Sequence, residues 1–262
     1  MSFNVRYGAA HDRKNCWKNR RQMVVNLIKK RRPDIIGTQE ALRFQLNDMK
    51  DDLKHYSELG SARDDGSEKG EYSAILYKTK RFEIIESETF WFSDTPSVPG
   101  SSHWGNKLPR ICTWALFMER NTRKGLYLFN LHLDHKSALS RQKSINLLVN
   151  KIIHRKTALP VIITGDFNVI ECDSIIRYLK GKKKLSCVDQ KHSIRMIDIF
   201  RKLNPYSFEG TLNLFLGLRY GPRIDYIFTD VSTHPIASEI DRSTFNGRYP
   251  SDHFPVIAKV RC

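Results

Sequence analysis

The fold class is indicated most directly by one segment, Pro160-Val161-Ile162-Ile163-Thr164-Gly165-Asp166-Phe167-Asn168. Residues 160–164 are mostly apolar and β-branched, which is typical of a short buried strand, and the polar residues Asp166 and Asn168 follow at its end. The preceding residues 137–155 carry apolar side chains at helical spacing, which predicts an amphipathic helix. A helix that leads into a buried strand with polar residues at its end predicts an α/β fold.

The same arrangement recurs towards the N-terminus. A strand is predicted at residues 2–6, an amphipathic helix at 17–32 and a buried strand at 34–39, with Glu40 at its C-terminal end. A second helix is predicted at residues 43–53. Strands and helices therefore alternate in both halves of the chain.

Two β-hairpins are predicted as well, one joining residues 73–78 to 82–87 and one joining 111–118 to 126–131. The remaining predicted elements are short helices at 174–180 and 194–203 and strands at 223–229 and 254–260. Alternating helices and strands combined with antiparallel hairpins predict a mixed two-sheet α/β sandwich with helices outside, instead of a purely parallel sheet.

Length and charge limit the function classes. The chain has 262 residues without an internal repeat or low-complexity linker, so residues 1–262 are predicted to form a single domain. Its 44 Lys+Arg against 28 Asp+Glu give a net charge of +16. Such a charge favours nucleic acid, anionic lipid headgroups or phosphorylated small molecules as partners. A lysine-rich proteome gives the same excess without any such partner, and this alternative stays open.

Cysteines and apolar runs bear on the location of the protein. Five cysteines are scattered without C-x-x-C spacing, which predicts free thiols in a reducing compartment instead of disulfides or a zinc site. The longest apolar runs are far shorter than a transmembrane segment, and no signal peptide precedes the first predicted strand. A cytoplasmic location is therefore expected.

Several predicted strands have Asn, Asp, Glu or His at or just beyond one end. The residues concerned are Asn4, Glu40, His132, Asp166, Asn168, Asp225, Asp252 and His253. Each alone is more often a cap or turn residue, but loops at strand ends converge on one side of a sheet, so their recurrence predicts one shared site. Oxygen ligands with a His nearby suit Mg²⁺ or Mn²⁺ and metal-assisted hydrolysis of phosphoesters.

Six ordered motifs, spread over residues 2–260, resemble those of the endonuclease/exonuclease/phosphatase superfamily. Its members include deoxyribonuclease I, abasic-site endonucleases, deadenylases, neutral sphingomyelinases and inositol polyphosphate phosphatases. The motifs are Ser2-Phe3-Asn4-Val5-Arg6, Thr38-Gln39-Glu40, Asn130-Leu131-His132-Leu133-Asp134-His135, Thr164-Gly165-Asp166-Phe167-Asn168, Arg223-Ile224-Asp225-Tyr226-Ile227 and Ser251-Asp252-His253-Phe254-Pro255. The resemblance implies a deoxyribonuclease I-like four-layer α/β sandwich, in which two mixed β-sheets pack face to face with helices outside.

The resemblance also implies a divalent metal, usually Mg²⁺, and the residues that bind it. Glu40 is expected to be the main carboxylate ligand, with Asn4 beside it and Asp252 on the other side. Arg110 aligns more loosely with an arginine that contacts the substrate phosphate in this superfamily.

Five catalytic residues are implied by the same motifs. His253 is expected to contact the scissile phosphate or to act as general base, oriented by the carboxylate of Asp225. Asp166 is expected to position or deprotonate the attacking water, and Asn168 to hold a non-bridging phosphate oxygen. His132 occupies a position where deoxyribonuclease I-like members use His and abasic-site endonucleases use Tyr. It would bind the phosphate and stabilise its charge, or assist the leaving group.

Some neighbouring residues have structural alternatives. Asp225 is alternatively a buried acid paired with Arg223, and Asp134 and His135 are expected either to support the residues of the site or to support the entry of the following helix. Glu71 is expected either to touch the substrate or metal or to cap a turn.

The function expected from the sequence is a divalent-metal-dependent phosphoesterase, in the first place a nuclease. It would hydrolyse phosphodiester bonds in DNA or RNA by in-line attack of an activated water. The enzymatic alternative is a phosphatase or phosphodiesterase for a small anionic metabolite, such as a sugar phosphate, or for an inositol phospholipid. A catalytically silent nucleic-acid-binding module is a third possibility, against which the intact site residues argue. Arg6 stands where abasic-site endonucleases carry a second acid, which argues against a repair role.

Two further segments bear on the substrate. The aromatic loop at residues 89–104 could stack on bases or a sugar, or bury its own aromatic side chains. The lysine-rich residues 180–184 could line a phosphate-backbone groove, or form an ordinary solvated face.

Overall fold

The structure is a computed structural model that describes residues 1–186 and 194–262. Twelve strands are found in the described residues. They are β1 (Ser2–Asn4), β2 (Ile35–Gln39), β3 (Tyr56–Leu59), β4 (Ile75–Lys78), β5 (Phe82–Trp91), β6 (Ile111–Glu119), β7 (Gly125–His132), β8 (Val161–Asp166), β9 (Ile197–Asp198), β10 (Asp225–Thr229), β11 (His234–Ile240) and β12 (Val256–Arg261). The α-helices are α1 (Trp17–Arg31), α2 (Arg43–Asp52), α3 (Ala138–Ile153), α4 (Ser174–Leu179) and α5 (Ile199–Leu203), and a short 3₁₀ turn spans Arg13–Asn15.

The strands form two six-stranded sheets. The first has the order β11-β12-β1-β2-β4-β3, and the second has the order β5-β6-β7-β8-β10-β9. Each sheet contains one parallel pair, β1 with β2 and β7 with β8, whereas the other pairs are antiparallel. Parallel neighbours need a crossover connection, and α1 and α3 supply it in the two sheets.

Three apolar clusters separate four layers. One cluster joins α1 and α2 to the first sheet, and a second joins α3 and α4 to the other sheet. The third lies between the sheets and includes Leu128 and Ile227 from one sheet and Ile75 and Val256 from the other. The predicted four-layer α/β sandwich with two mixed sheets face to face is therefore confirmed.

A polar contact also crosses between the sheets. A Cβ on Gly37 in β2 would lie 2.3 Å from both Asn130 Oδ1 and Thr164 Oγ1, so the sheets approach too closely there for any side chain. The amide of Asn130 donates to the carbonyl of Thr38 at 2.8 Å, which satisfies this buried group across the sheet boundary. Glycine at this position therefore permits the close packing that brings the two halves of the site together.

Several sequence-based predictions were wrong in detail. Residues 73–78 and 82–87 do not form a hairpin, because β4 pairs with β2 and β3 while β5 pairs with β6 in the other sheet. The helix predicted at 194–203 is reduced to α5, preceded by the two-residue β9. The strands β3 and β11 were missed, because each has exposed or half-buried side chains in place of an apolar run. The hairpin of β6 and β7 is confirmed.

Other sequence-based features can be placed as well. Among residues 1–186 and 194–262, no helix is long and apolar enough to cross a membrane. The described cysteines Cys16, Cys112, Cys172 and Cys262 are free thiols, as predicted, whereas Cys187 lies outside the described residues.

Candidate active site

Strand direction brings the predicted site residues to one end of the sandwich. Asn4, His132 and Asp166 are the last residues of β1, β7 and β8, and Glu40 directly follows β2. Asp225 begins β10 and lies opposite Asp166 in the antiparallel register, so the start of β10 reaches the same end. The segment before β12 reaches it too, because β12 runs antiparallel to β1.

An amide connects the acids at the centre of the site. Asn4 Nδ2 donates to Glu40 Oε1 at 2.9 Å and to Asp166 Oδ2 at 3.0 Å. Its Oδ1 accepts the backbone N–H of Arg6 at 2.9 Å. Glu40 has a left-handed φ of 64°, and its Oε2 accepts the backbone N–H of Tyr7 at 2.8 Å. These bonds fix the orientation of both carboxylates.

His253 and Asp225 form a buried dyad. His253 Nδ1 lies 2.8 Å from Asp225 Oδ2, and both side chains are buried. Burial alone would lower the pKa of His253, but the facing carboxylates of Asp225, Asp166 and Asp252 raise it well above its ordinary value. The facing carboxylates therefore favour the protonated imidazole, and because Nδ1 faces Asp225 the proton available to a ligand is the one on Nε2.

Asp166 lies between this dyad and the other acids. Its Oδ1 accepts the backbone N–H of Asn168 at 2.9 Å, and Asn168 has a left-handed φ of 54°. Burial and the neighbouring charge of Asp225 raise the pKa of Asp166 to about 7. A carboxylate with such a pKa is suited to accept a proton near neutral pH.

His132 faces a second carboxylate that sequence reasoning left undecided. His132 Nδ1 lies 3.8 Å from Glu71 Oε2, and its Nε2 lies 3.0 Å from the amide nitrogen of Asn168. Burial and the nearby guanidinium groups of Arg110 and Arg63 lower the pKa of His132 well below its ordinary value. A neutral imidazole with its N–H towards Glu71 and an acceptor Nε2 towards Asn168 fits these contacts.

Two arginines border a small pocket beside His132. Arg63, Glu71, Arg110 and His132 all line this pocket. Arg63 Nη1 donates to Glu71 Oε2 at 2.7 Å, while Arg63 Nε is buried without a hydrogen-bond partner. Burial raises the pKa of Glu71 to about 7, despite the opposing charge of Arg63. The pocket therefore combines two guanidinium groups with a single carboxylate.

Arg110 also contacts the residues after β7. Its Nε lies 3.4 Å from Asp134 Oδ2 and its Nη2 lies 2.9 Å from His135 Nδ1. Asp134 Oδ1 accepts the backbone N–H groups of Lys136 and Ser137 immediately before α3. Asp134 thus has the helix-entry role expected for it, and it also orients Arg110.

Asp252 lies on the opposite side of the acids. Its Oδ2 is 3.5 Å from Arg6 Nη1, and its Oδ1 accepts the hydroxyl of Ser251 at 3.2 Å. The fully buried Arg20 donates to the carbonyls of Pro250 and Arg6, both at 3.0 Å. Arg20 therefore fixes the turn that carries Asp252 against the end of β1, and nothing in the sequence pattern of α1 had distinguished it.

The residues present suit a divalent cation. Two groups of described side chains have ligand atoms within 4.8 Å of one another: Glu40 with His132 and Asp166, and Asp166 with Asp225 and His253. Carboxylate oxygens dominate these groups, which is the ligand type that hard cations prefer. Asp252 belongs to neither group, and Asn4 turns its amide nitrogen, not its oxygen, towards the acids. In this geometry the amide of Asn4 orients the carboxylates of Glu40 and Asp166.

In the loop at 89–104 three aromatic side chains are buried, whereas Trp104 is half-buried and its Nε1 donates to Asp94 Oδ1 at 2.9 Å. Phe90, Trp91 and Phe92 are buried, and Trp91 Nε1 donates to the carbonyl of Arg63 at 2.6 Å. Of the lysine-rich residues, Lys180 pairs with Glu171 at 2.9 Å, and residues 182–184 are exposed at the end of α4. The loop at 89–104 thus packs its own aromatic side chains and supports the Arg63 segment.

Comparison with known proteins identifies relatives over the whole chain. The profile described as the Endonuclease/Exonuclease/phosphatase family matches residues 1–253. A protein of Acanthamoeba polyphaga mimivirus, named uncharacterized protein L388, is 31% identical over 258 residues, which cover 92% of this chain and 91% of the viral protein.

Solved structures extend this likeness. The mannosyl-6-phosphatase of Bacteroides thetaiotaomicron superposes with a TM-score of 0.88 at 35% identity, covering 100% of this chain and 98% of that one. TDP2 of D. rerio, solved with a single-stranded DNA product, superposes with a TM-score of 0.75 at 19% identity, covering 100% of this chain and 97% of that one. At that identity the second likeness concerns the fold alone.

Proposed function

This chain belongs to the endonuclease/exonuclease/phosphatase family of phosphoric ester hydrolases, and from that premise we propose that it removes a terminal phosphate from a phosphorylated sugar. The proposal selects the small-metabolite alternative over the nuclease that the sequence favoured first. The 35% identity to a mannosyl-6-phosphatase supports this choice, since the DNA-bound neighbour is only 19% identical.

The observation that carries the proposal is the paired guanidinium groups beside His132. A terminal phosphate monoester carries nearly two negative charges, whereas a phosphodiester carries one. Arg63 and Arg110 line the same pocket and lie next to the acid cluster, where they would offset the second charge. Arg63 Nε is buried without a hydrogen bond, 3.7 Å from Asp64 Oδ1, and a phosphate or hydroxyl oxygen that reached it would satisfy this donor.

We further propose that the cofactor is Mg²⁺, held chiefly by Glu40 in the orientation that Asn4 imposes. When bound, such an ion neutralises charge on the phosphate oxygens. Mn²⁺ uses the same oxygen ligands and is expected to substitute. Asp252, which contacts Arg6 and Ser251 on the opposite side of the acids, would add negative charge near the cation.

The protein's own residues divide the remaining work. Asp166 accepts a proton from the attacking water as its oxygen bonds to phosphorus, and the bond from phosphorus to the sugar oxygen breaks. His253, oriented by Asp225, donates from Nε2 to a phosphate oxygen and stabilises the charge that develops there. The sugar oxygen takes up a proton from solvent as it leaves and Asp166 returns its proton to solvent, so that the alcohol and inorganic phosphate are the products.

Asn168 and His132 complete the phosphate contacts. Asn168 donates to the carbonyl of Leu133 at 3.0 Å and faces His132 Nε2, so its amide is fixed by the end of β7. A phosphate oxygen would accept the N–H of Asn168 that now faces His132 Nε2. Glu71 would keep the imidazole of His132 oriented during that exchange.

A nuclease is the second candidate, and one specific observation favours it. The net charge of +16 would attract a phosphodiester backbone, and binding would then weaken steeply with salt. The buried aromatic side chains at residues 90–92 remove one surface on which bases would stack.

A substrate panel tests the proposal. Purified protein with Mg²⁺ is assayed on mannose 6-phosphate, other hexose phosphates, bis(p-nitrophenyl) phosphate, and DNA and RNA oligonucleotides. We expect the highest kcat/KM on a sugar phosphate. In Arg63→Ala, kcat/KM should fall on the order of 10²-fold for the monoester and much less for the diester. The diester lacks the second negative charge that Arg63 is proposed to offset.

His253→Ala serves as the control for the shared chemistry and should abolish both activities. Cleavage of oligonucleotides without phosphate release from any sugar phosphate would overturn the proposal in favour of the nuclease. An equal loss of kcat/KM for the monoester and the diester in Arg63→Ala would show that Arg63 does not offset the second charge of a monoester.

A further inference from the structure

A loop beside the active site exposes an unusual set of apolar side chains. They are Tyr206, Phe208, Leu214, Leu216, Leu218 and Tyr220, and together they are termed the apolar rim. Their exposed fractions range from 44% at Leu218 to 89% at Tyr206. Gly210 N–H donates to the carbonyl of Arg219 at 2.9 Å, which aligns the two sides of the loop. Single exposed apolar residues are common on proteins, but six within one loop indicate a surface that contacts something apolar.

The loop is held so that the rim stays exposed. Asn213 is fully buried, its N–H donates to the carbonyl of Asp252 at 2.7 Å, and its Oδ1 accepts the N–H of Phe215 at 2.8 Å. Leu214 and Phe215 have left-handed φ angles of 54° and 59°. Phe215 packs towards the guanidinium of Arg20, with 5.7 Å between Arg20 Cζ and the ring centroid. The backbone therefore directs Phe215 inwards and leaves the leucines on both sides of it in solvent.

The part of the loop that leads to Leu214 adjoins the active site. Leu212 forms an antiparallel bridge with His253, and the N–H of Phe254 donates to the carbonyl of Thr211 at 2.7 Å. A surface that docks on the rim would therefore face the end of the sandwich that carries His253.

Cations surround the rim. Arg219 on the loop and Arg242 both pair with Glu209, which leaves a net positive charge on this group of three. Lys202 is exposed on α5. On the other side, Arg248 donates to the carbonyl of Lys14, and the adjacent Tyr249 lies against Gly217 of the loop. The overall charge of +16 has the same sign.

We propose that the apolar rim docks the protein on an anionic lipid bilayer, with the leucines and aromatic side chains in the headgroup region and the surrounding arginines and lysines on acidic headgroups. Aromatic and aliphatic tips with flanking cations are the combination that binds membrane interfaces. A single-stranded nucleic acid would use the aromatic rings and cations, but leucines offer bases no stacking surface. Docking requires no turnover and so is independent of the proposed substrate.

Vesicle co-sedimentation tests the proposal on the intact chain. Wild-type protein is mixed with vesicles of phosphatidylcholine alone or of phosphatidylcholine with phosphatidylserine. We expect binding to the mixed vesicles, weakened by salt, and little binding to phosphatidylcholine. Leu216→Asp should weaken binding to the mixed vesicles by about tenfold or more, because the charge replaces an exposed leucine that would enter the headgroup region of the bilayer.

Val231→Asp is the matched control. Val231 is 67% exposed beyond the far end of β10, so this variant adds the same charge at the end of the sandwich opposite the site. It should bind vesicles like the wild type, and thermal unfolding of both variants checks that each is folded. Equal vesicle binding by the two variants, or no binding by the wild type, overturns the proposal.

Two further outcomes would assign the rim to another partner and overturn the proposal. One is a loss of single-stranded oligonucleotide binding in Leu216→Asp with vesicle binding unchanged. The other is a wild-type dimer that becomes monomeric in Leu216→Asp, seen by sedimentation velocity, which would make a second copy the occupant.

Discussion

The side-chain amide of Asn4 donates a hydrogen bond of 3.0 Å to the carboxylate of Asp166, and this bond crosses from one sheet to the other. The same nitrogen lies 2.9 Å from Glu40, so one amide fixes two acids that are 126 residues apart in the chain (166 minus 40). A site divided between two sheets depends on how the sheets pack. Gly37, which admits the close contact between β2 and the second sheet, is therefore part of what positions the acids.

Asp225→Asn is expected to lower kcat on the order of 10²- to 10⁴-fold, because the amide cannot stabilise the imidazolium of His253 as a carboxylate does. The volume is unchanged, so the folded structure should persist, as measured by circular dichroism and thermal unfolding. Asp230→Asn, at the opposite end of β10, serves as the control and should keep wild-type kcat. A wild-type rate in Asp225→Asn would remove the dyad from the mechanism.

Glu71→Gln is expected to lower kcat by about tenfold or more, since it removes the charge that faces His132 and pairs with Arg63. Steady-state kinetics on the best monoester substrate measure the effect. Glu68→Gln changes an exposed acid in the same loop and should leave kcat unchanged. If both variants behave alike, Glu71 has only the turn-capping role considered from the sequence.

Removal of divalent ions with a chelator is expected to abolish activity, and Mg²⁺ should restore it. Mg²⁺ should also raise the unfolding temperature of the wild type, because an ion that binds only the folded protein stabilises it. Glu40→Gln should lose most of this thermal shift, and its kcat should fall on the order of 10²-fold or more.

The control for that experiment is Glu239→Gln, a change on the outer strand β11 that should show the full Mg²⁺ shift. Equal shifts in Glu40→Gln and Glu239→Gln would exclude Glu40 as a ligand. Because the shift is measured without substrate, it separates metal binding from catalysis.

The ion pairs of Glu171 are expected to make the free energy of unfolding depend on pH. It lies 2.8 Å from Arg201 and Arg223 and 2.9 Å from Lys180, and although burial opposes the shift, these cations lower its pKa from 4.5 to about 2. A depressed pKa in the folded state stabilises the protein above pH 4.5, and this contribution is lost as the pH falls from 4.5 towards 2.

Glu171→Gln should therefore reduce the free energy of unfolding at neutral pH by about 1 kcal/mol, a value discounted for solvent screening of a partly exposed group. It should also flatten the acid side of the stability profile, measured by urea unfolding at several pH values. Glu83→Gln removes only the exposed ion pair with Arg123 and should follow the wild-type profile. If the free energy of unfolding of Glu171→Gln falls at acid pH as steeply as that of the wild type, Glu171 is not the source of this pH dependence.

Sequence patterns predicted an element correctly where apolar and polar residues follow the period of a helix or strand and so match its buried and exposed faces. Apolar periodicity alone predicted three parts of the fold: the helix and strand around residues 137–164, the hairpin of β6 and β7, and the strand just before Glu40. The partner of β4 could not be predicted in this way, because a hairpin and a strand that crosses to another sheet have the same local pattern. Edge strands such as β11 were missed because solvent covers one or both of their faces.

The residue pattern was enough to identify the family and its ordered motifs. It also predicted that Asn4, Glu40, Asp166, Asp225 and His253 converge, because loops at strand ends gather on one side of a sheet. The tertiary structure sets which of these groups touch. It faced Glu71 with His132, placed Arg63 beside Arg110, turned the nitrogen of Asn4 towards the acids and buried Arg20 under the turn at Pro250. These contacts join residues far apart in the chain, and they depend on the distance and register between two sheets, which no local pattern of side chains encodes.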